Sequence, residues 1–274
     1  MLVSQQPAGP GLRPGPVLGL VALVVLVLVV WSAVTGPVDE SPSGVPADLP
    51  TAAAPPDPGA EPPNIRVFPP EQAEDSPEGR PQRQLEGWAA PLSEELDIPE
   101  PALEAYGYAA SVLETTRPDC GLSWSVLAGI GAVESRHGRY GGAELDRTGR
   151  PSTPIRGLPL DGRDGVKLIR DTDNGTLDGD TTYDRAVGPL QFIPTTWEKW
   201  GVDADGDGVA DPDDIDDAAM AAGDYLCASG GHLRDADRFW DALLTYNASR
   251  SYGQDVLDRA DHYGRKSHRL SAKR

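Results

Sequence analysis

The chain has 274 residues, with 43 acidic side chains against 24 basic ones and a formal net charge of -19. That acidity argues against nucleic acid and anionic lipid as partners, and favours solubility and cations. The charge comes mostly from the linker and the Asp-rich loops, which leaves a C-terminal portion of roughly 180 residues as ample material for one domain with a single core.

Residues 1–16 form a short leader whose only basic side chain is Arg13. The apolar run from Val17 to Val34 follows. About 20 apolar residues are needed to span a bilayer as a helix, whereas a cleavable apolar region is usually about 7 to 15. A transmembrane signal anchor over 17–35 is expected. With Arg13 on one side and Asp39 and Glu40 on the other, the N-terminus is cytoplasmic and the bulk extracellular. A cleaved signal peptide is the alternative, with Ser32, Ala33 and Thr35 small enough for processing, and either outcome exports the rest. Residues 36–84 are rich in Pro, Ala and Asp, including Pro55-Pro56, Pro62-Pro63 and Pro69-Pro70, and read as a disordered linker.

The folded domain is expected over 85–264, with a basic, frayed tail at 265–274. Helical spacing marks Leu103, Tyr106, Ala109 and Leu113, after a Pro101 start. In the next helix Trp124, Leu127, Ile130 and Glu134 share one stripe, so a carboxylate lies on the face that should meet the core. Ser123 is the expected N-cap and Gly138 the stop. Burial and the nearby carbonyl ends favour the protonated form of Glu134, as a general acid requires. The bland alternative is a Glu satisfied by Arg136 or Arg139. Further helices are expected at 195–200, 215–229, 235–245 and 251–263, and a small hairpin in the long stretch 141–184, so the class is mainly α.

Cys120 and Cys227 each lie beside a predicted helix, and an even count in an exported chain suggests a disulfide. In DADGDGVADPDD, Asp203, Asp205 and Asp207 stand at positions 1, 3 and 5 of a calcium loop, Gly208 at 6, the Val209 carbonyl at 7, Asp211 at 9 and Asp214 at 12. So many carboxylates repel one another unless a hard cation neutralises them; structural Ca2+ in an EF-hand-like loop is expected. Asp214 departs from the usual Glu. The segment 171–184 lacks that register and reads as Asx-turns. In GPLQFIPTTW, Gln191 offers a donor and an acceptor and Trp197 a flat apolar face; Tyr246-Asn247 pair a phenol with an amide.

In this order, Glu134-Ser135, the GPLQFIPTTW turn, the aspartate loop and Tyr246-Asn247 resemble the lytic murein transglycosylase B family of actinobacterial envelopes. The resemblance covers about two thirds of the chain. It implies a lysozyme-like, mostly α domain, with Glu134 as catalytic acid and base, and with Ser135, Gln191, Tyr246 and Asn247 at the glycan cleft. The implied reaction cleaves between N-acetylmuramic acid and N-acetylglucosamine and leaves a 1,6-anhydro product, using one carboxyl where most glycosidases use two. A monomer acting on peptidoglycan strands beside the membrane, without nucleic acid, is expected. Two rivals stay open: a lysozyme-type hydrolase drawing a second carboxylate from Asp178, Asp180 or Asp184, and a non-catalytic, calcium-stabilised wall-binding module.

Overall fold

The computed structural model describes residues 53–66, 79–163 and 166–272. Among them are seven helices: α1 Glu86–Leu96, α2 Glu100–Thr116, α3 Trp124–Ser135, α4 Pro194–Trp200, α5 Ile215–Gly230, α6 Ala236–Tyr246 and α7 Arg250–Ser271. One antiparallel pair, β1 Arg156–Pro159 and β2 Arg185–Val187, sets Arg156 opposite Val187 and Pro159 opposite Arg185. The domain is therefore mainly α; in place of a hairpin within 141–184, β1 pairs with a strand that begins just past that stretch. The apolar run 17–34 lies outside the described residues; among those described, no helix is long and apolar enough to cross a membrane.

Local chemistry sets the helix starts. Proline stands in the first turn of α2 and α4, where a missing N–H does no harm. Asp214, Asp235 and Ser249 cap α5, α6 and α7 through side-chain oxygens that accept first-turn N–H groups. Ser123 stands at the N-cap of α3, but its hydroxyl bonds the Ser125 hydroxyl rather than a backbone N–H.

Helix α2 is buried along most of its length and packs against both α3 and α5. An apolar helix buried on more than one face marks the middle of a core. Trp124, Leu127 and Ile130 of α3 are also buried, and each such side chain contributes about 1.5–3 kcal/mol. Helix α7 lies across α3 at close range: a Cβ on Gly129 would stand 2.6 Å from the Val256 carbonyl oxygen. The expected disulfide is present, joining Cys120 ahead of α3 to Cys227 in α5, with Cα atoms 5.3 Å apart.

Two stretches differ from expectation. The linker, expected to be disordered throughout 36–84, contributes Pro81 and Gln82 to the interior through a short 3-10 turn, and residues 53–66 lie against the helices with Pro56, Gly59 and Ala60 buried. Prolines hold few conformations when free, so ordering them against an apolar surface costs little. The basic tail is not frayed up to Ser271, because α7 continues with Gly264 and the fully buried Ser267 on its inner face.

Candidate active site

Glu134 is the last residue but one of α3, and the backbone beyond it turns sharply. Arg136, His137 and Gly138 have φ of 54°, 59° and 79°, so the helix ends two residues before the glycine expected to stop it. The Arg136 N–H donates to the Ala132 carbonyl and the His137 N–H to that of Gly131, closing off terminal acceptors. His137 is buried beneath this turn, with Nδ1 3.3 Å from Tyr106 Oη and Nε2 3.0 Å from Tyr263 Oη. Burial lowers its pKa to about 3, so the ring is neutral at ordinary pH.

Ser135, expected at the glycan cleft, is buried instead. Its hydroxyl donates to the Pro189 carbonyl at 2.6 Å and accepts the Gly138 N–H at 2.7 Å, bolting the end of α3 to the GPLQF turn. A side chain so engaged reaches no ligand.

Glu134 itself remains partly exposed, as a group that meets substrate must. Burial nevertheless raises its pKa to about 7, opposed by hydrogen bonding to Tyr252. The Tyr252 hydroxyl is buried without a well-aligned partner and faces the Glu134 carboxylate. Tyr246 joins the group: burial and the charge of Glu134 raise its pKa, and its hydroxyl donates to the Leu190 carbonyl at 2.7 Å. The arginines are turned elsewhere. Arg139 donates to the Asp97 carboxylate at 2.8 Å, and Arg136 is exposed. Glu134 is thus a carboxyl flanked by phenols and low-dielectric packing, near half-protonated at neutral pH.

The turn opposite is fixed by its backbone. Val187 and Phe192 exchange hydrogen bonds of 2.8 and 3.0 Å, and a Cβ on Gly188 would stand 1.8 Å from the Pro212 carbonyl, so only glycine fits. Gln191 adopts φ 51° and donates from Nε2 to the Gly188 carbonyl at 2.9 Å. Trp197 fills the core against Phe192, with ring centroids 5.3 Å apart, and presents no open face. Phe192 leads to Tyr246, Tyr225 and Trp200 at centroid spacings of 6.0, 5.7 and 5.6 Å, a row of aromatics with half-buried Tyr246, Tyr225 and Trp200 at one end. Asn247 is exposed just past α6.

In the aspartate loop, Asp203 accepts the N–H groups of Gly206 and Gly208, and Asp205 and Asp207 accept those of Asp207 and Val209. The six expected ligands do not converge as one set. Arg150 draws off Asp207 at 2.9 Å and also Asp211, and its Nε lies 3.4 Å from Asp214 Oδ2. Val209 is exposed. Two buried carboxylates from the first turn of α5 take the vacated places: carboxylate oxygens of Asp203, Asp205 and Asp217 come within 4.8 Å of one another, as do those of Asp205, Asp214 and Asp216. Burial and mutual repulsion raise Asp205, Asp217 and Asp214 to about 6, 8 and 9. Asp214 Oδ2 is buried without a hydrogen bond.

Residues 165–237 match the family model described as the transglycosylase SLT domain. That stretch is similar to a transglycosylase SLT domain and makes up about a quarter of the chain. No curated protein matches. Among solved structures, the Escherichia coli lytic transglycosylase Slt35 in complex with bulgecin A is similar at 14% identity, over 75% of this chain and 86% of that one, with a TM-score of 0.42.

The matched stretch holds the GPLQF turn, the acidic loop and α5, while Glu134 lies ahead of it. Asp178, Asp180 and Asp184, the candidate second carboxylates, are all engaged. Asp178 accepts the Arg185 N–H at 2.6 Å, Asp180 pairs with the Arg185 guanidinium at 2.9 Å, and buried Asp184 accepts both Thr172 donors at 2.8 Å. Sequence reading missed Tyr252 and Arg150. Tyr252 belongs to the helical stripe with Val256, Ala260 and Tyr263, and so resembles any core aromatic; Arg150 sits in an irregular loop that carries no periodic signal.

Proposed function

We propose that the SLT domain, in the manner of lysozyme-like murein transglycosylases of the B type, cleaves the β-1,4 bond between N-acetylmuramic acid and N-acetylglucosamine in peptidoglycan. The observation that carries this reading is the single carboxyl of Glu134 held near pKa 7 by burial, while Asp178, Asp180 and Asp184 are engaged within their own loop. Protonated Glu134 donates its proton to the leaving glycosidic oxygen as the anomeric bond breaks. The N-acetyl group assists at the anomeric carbon. Ionised Glu134 then takes the proton of the muramic C6 hydroxyl, whose oxygen closes the 1,6-anhydro ring. The proton returns to the carboxyl, no water is consumed, and a pKa near the working pH serves both halves. Tyr246, Gln191 and Asn247 line the glycan path in this reading, and the Tyr252 hydroxyl steadies the ionised carboxylate between steps.

A structural Ca2+ is part of the proposal. The fit is supported by the buried Asp214 Oδ2, which has the Arg150 guanidinium at 3.4 Å but no hydrogen bond, and by three raised carboxyl pKa values at the loop. Asp203, Asp205 and Asp217, or Asp205, Asp214 and Asp216, would hold the ion, with Asp207 and Asp211 joining when Arg150 releases them. Its role is to neutralise the loop packed on the GPLQF turn. The apolar run 17–34 supports an anchor that leaves the domain outside the cell, acting as a monomer on wall glycan. Digestion of purified sacculi with mass spectrometry of the fragments tests the chemistry: anhydro ends are expected, and reducing ends alone would overturn it in favour of hydrolysis.

A further inference from the structure

Proline-rich residues 53–66 hold a specific place on the SLT domain. Two tryptophan indoles from different helices grip the segment through its carbonyls, Trp240 Nε1 donating to Ala53 and Trp124 Nε1 to Ala60, each at 3.1 Å. Between them the Ser125 hydroxyl donates to the Asp57 carbonyl at 2.9 Å, and the Ala60 N–H donates to Ser267 Oγ at 2.9 Å. Asp57 meets α7 twice, its N–H bonding Asp261 and its carboxylate lying 2.9 Å from His268 Nε2. Indole donors aimed at the carbonyls of an extended proline segment are the means by which aromatic grooves recognise such peptides. A free tether would need none of this.

We propose that residues 53–66 are a docked strap that limits how far the SLT domain can reach from its anchor; this rests on the membrane-anchored reading above. Whatever their conformation, residues 36–52 can span at most about 60 Å, against about 150 Å for residues 36–78. Docking therefore shortens the maximal tether more than twofold. The strap also crosses α3 at Trp124 and Ser125, whereas Glu134 lies about 14 Å further along the same helix at 1.5 Å per residue.

Gly264 offers a clean way to release the strap. A Cβ there would stand 2.1 Å from the Asp57 carbonyl oxygen, yet alanine is otherwise the better residue inside a helix. Gly59→Ala is the second probe, since its Cβ would meet the Trp124 ring at 2.6 Å, and Gly87→Ala, with nothing within 4 Å, is the control. The full chain is reconstituted in vesicles with acceptor-labelled headgroups and a donor dye on Leu168→Cys, an exposed position. Hydrogen exchange of the Asp57 and Ala60 amides is expected to quicken at least about tenfold in both strap variants, with energy transfer to the bilayer lowered. Cleavage of soluble glycan should stay unchanged. Wild-type exchange rates in both variants, or equal transfer in all proteins, overturns the strap. Failure of the wild type to float with vesicles overturns the anchored reading and the reach with it, an outcome the exchange data keep distinct.

Discussion

The end of α3 and the aspartate loop both raise carboxyl pKa values, and they do so under opposite pressures. Glu134 sits among phenols and apolar packing, where burial alone drives the shift to about 7. Asp205, Asp214 and Asp217 are shifted by burial and by one another, with Arg150 answering only part of the charge. An isolated carboxyl with one weak partner is ready to exchange a proton; a crowd of them is ready to take a cation. Raised pKa alone does not distinguish the two, and the neighbours do.

The largest effect should come from Glu134→Gln, which keeps the shape and removes the transferable proton. Glycan cleavage is expected to fall at least about a hundred- to ten-thousand-fold, the range for general acid-base help. The same change should alter stability in one pH window only. Because folding raises this pKa from 4.5 to about 7, the fold binds the extra proton, and the stability it gives is present at pH 4 and lost as pH rises through 7. Glutamine stays neutral. The variant should therefore melt like wild type at pH 4 and be more stable at pH 8, by at most about 3 kcal/mol; calorimetry at the two pH values checks it.

The disulfide links the two regions, since Cys120 precedes the acid's helix and Cys227 lies on the helix that the acidic loop begins. Replacing both by serine releases a loop of 107 residues and should cost up to about 4.7 kcal/mol in the chain-entropy model. Denaturant unfolding of the oxidised and substituted proteins measures it.

Chelation should act on the loop alone. A cation bound only by the folded form contributes about 2.7 kcal/mol at a hundredfold excess over its dissociation constant. In chelator, the raised pKa values near 6, 8 and 9 make stability fall as pH climbs through that window. Calcium should flatten the fall. A melting temperature indifferent to calcium at pH 8, with no binding heat, would leave the loop to Arg150.

Tyr252→Phe is the finest probe. It removes the hydrogen bonding that lowers Glu134, so that pKa should climb further, by up to about one unit for a bond worth 0.5–1.5 kcal/mol. The alkaline limb of the pH–rate profile should move upward with it. Chelator should not move that limb, which separates the two regions once more.

Much of this molecule was legible without coordinates. Helical spacing located the helices from α2 onward to within a few residues, apart from the far end of α7, because apolar stripes and caps are local signals. Glu134 stood out for the same reason, as a charge on an apolar stripe. The cysteine pair followed from count and compartment. Ser135 and Trp197 could not be placed from sequence: a hydroxyl beside the acid and an indole after a turn look like ligand contacts until the packing turns both inward. The pairing of Asp207 and Asp211 with Arg150 was beyond sequence reading, since Arg150 lies 53 positions before Asp203 and only the fold brings it there. Composition likewise describes a proline-rich stretch as unable to make a core of its own, which is true. Whether a core elsewhere offers it two tryptophans depends on long-range geometry. Sequence fixes what each residue prefers near itself, through backbone sterics and periodic burial; tertiary structure decides which distant groups share one patch of low dielectric, and hence which carboxyl keeps a proton and which asks for a cation.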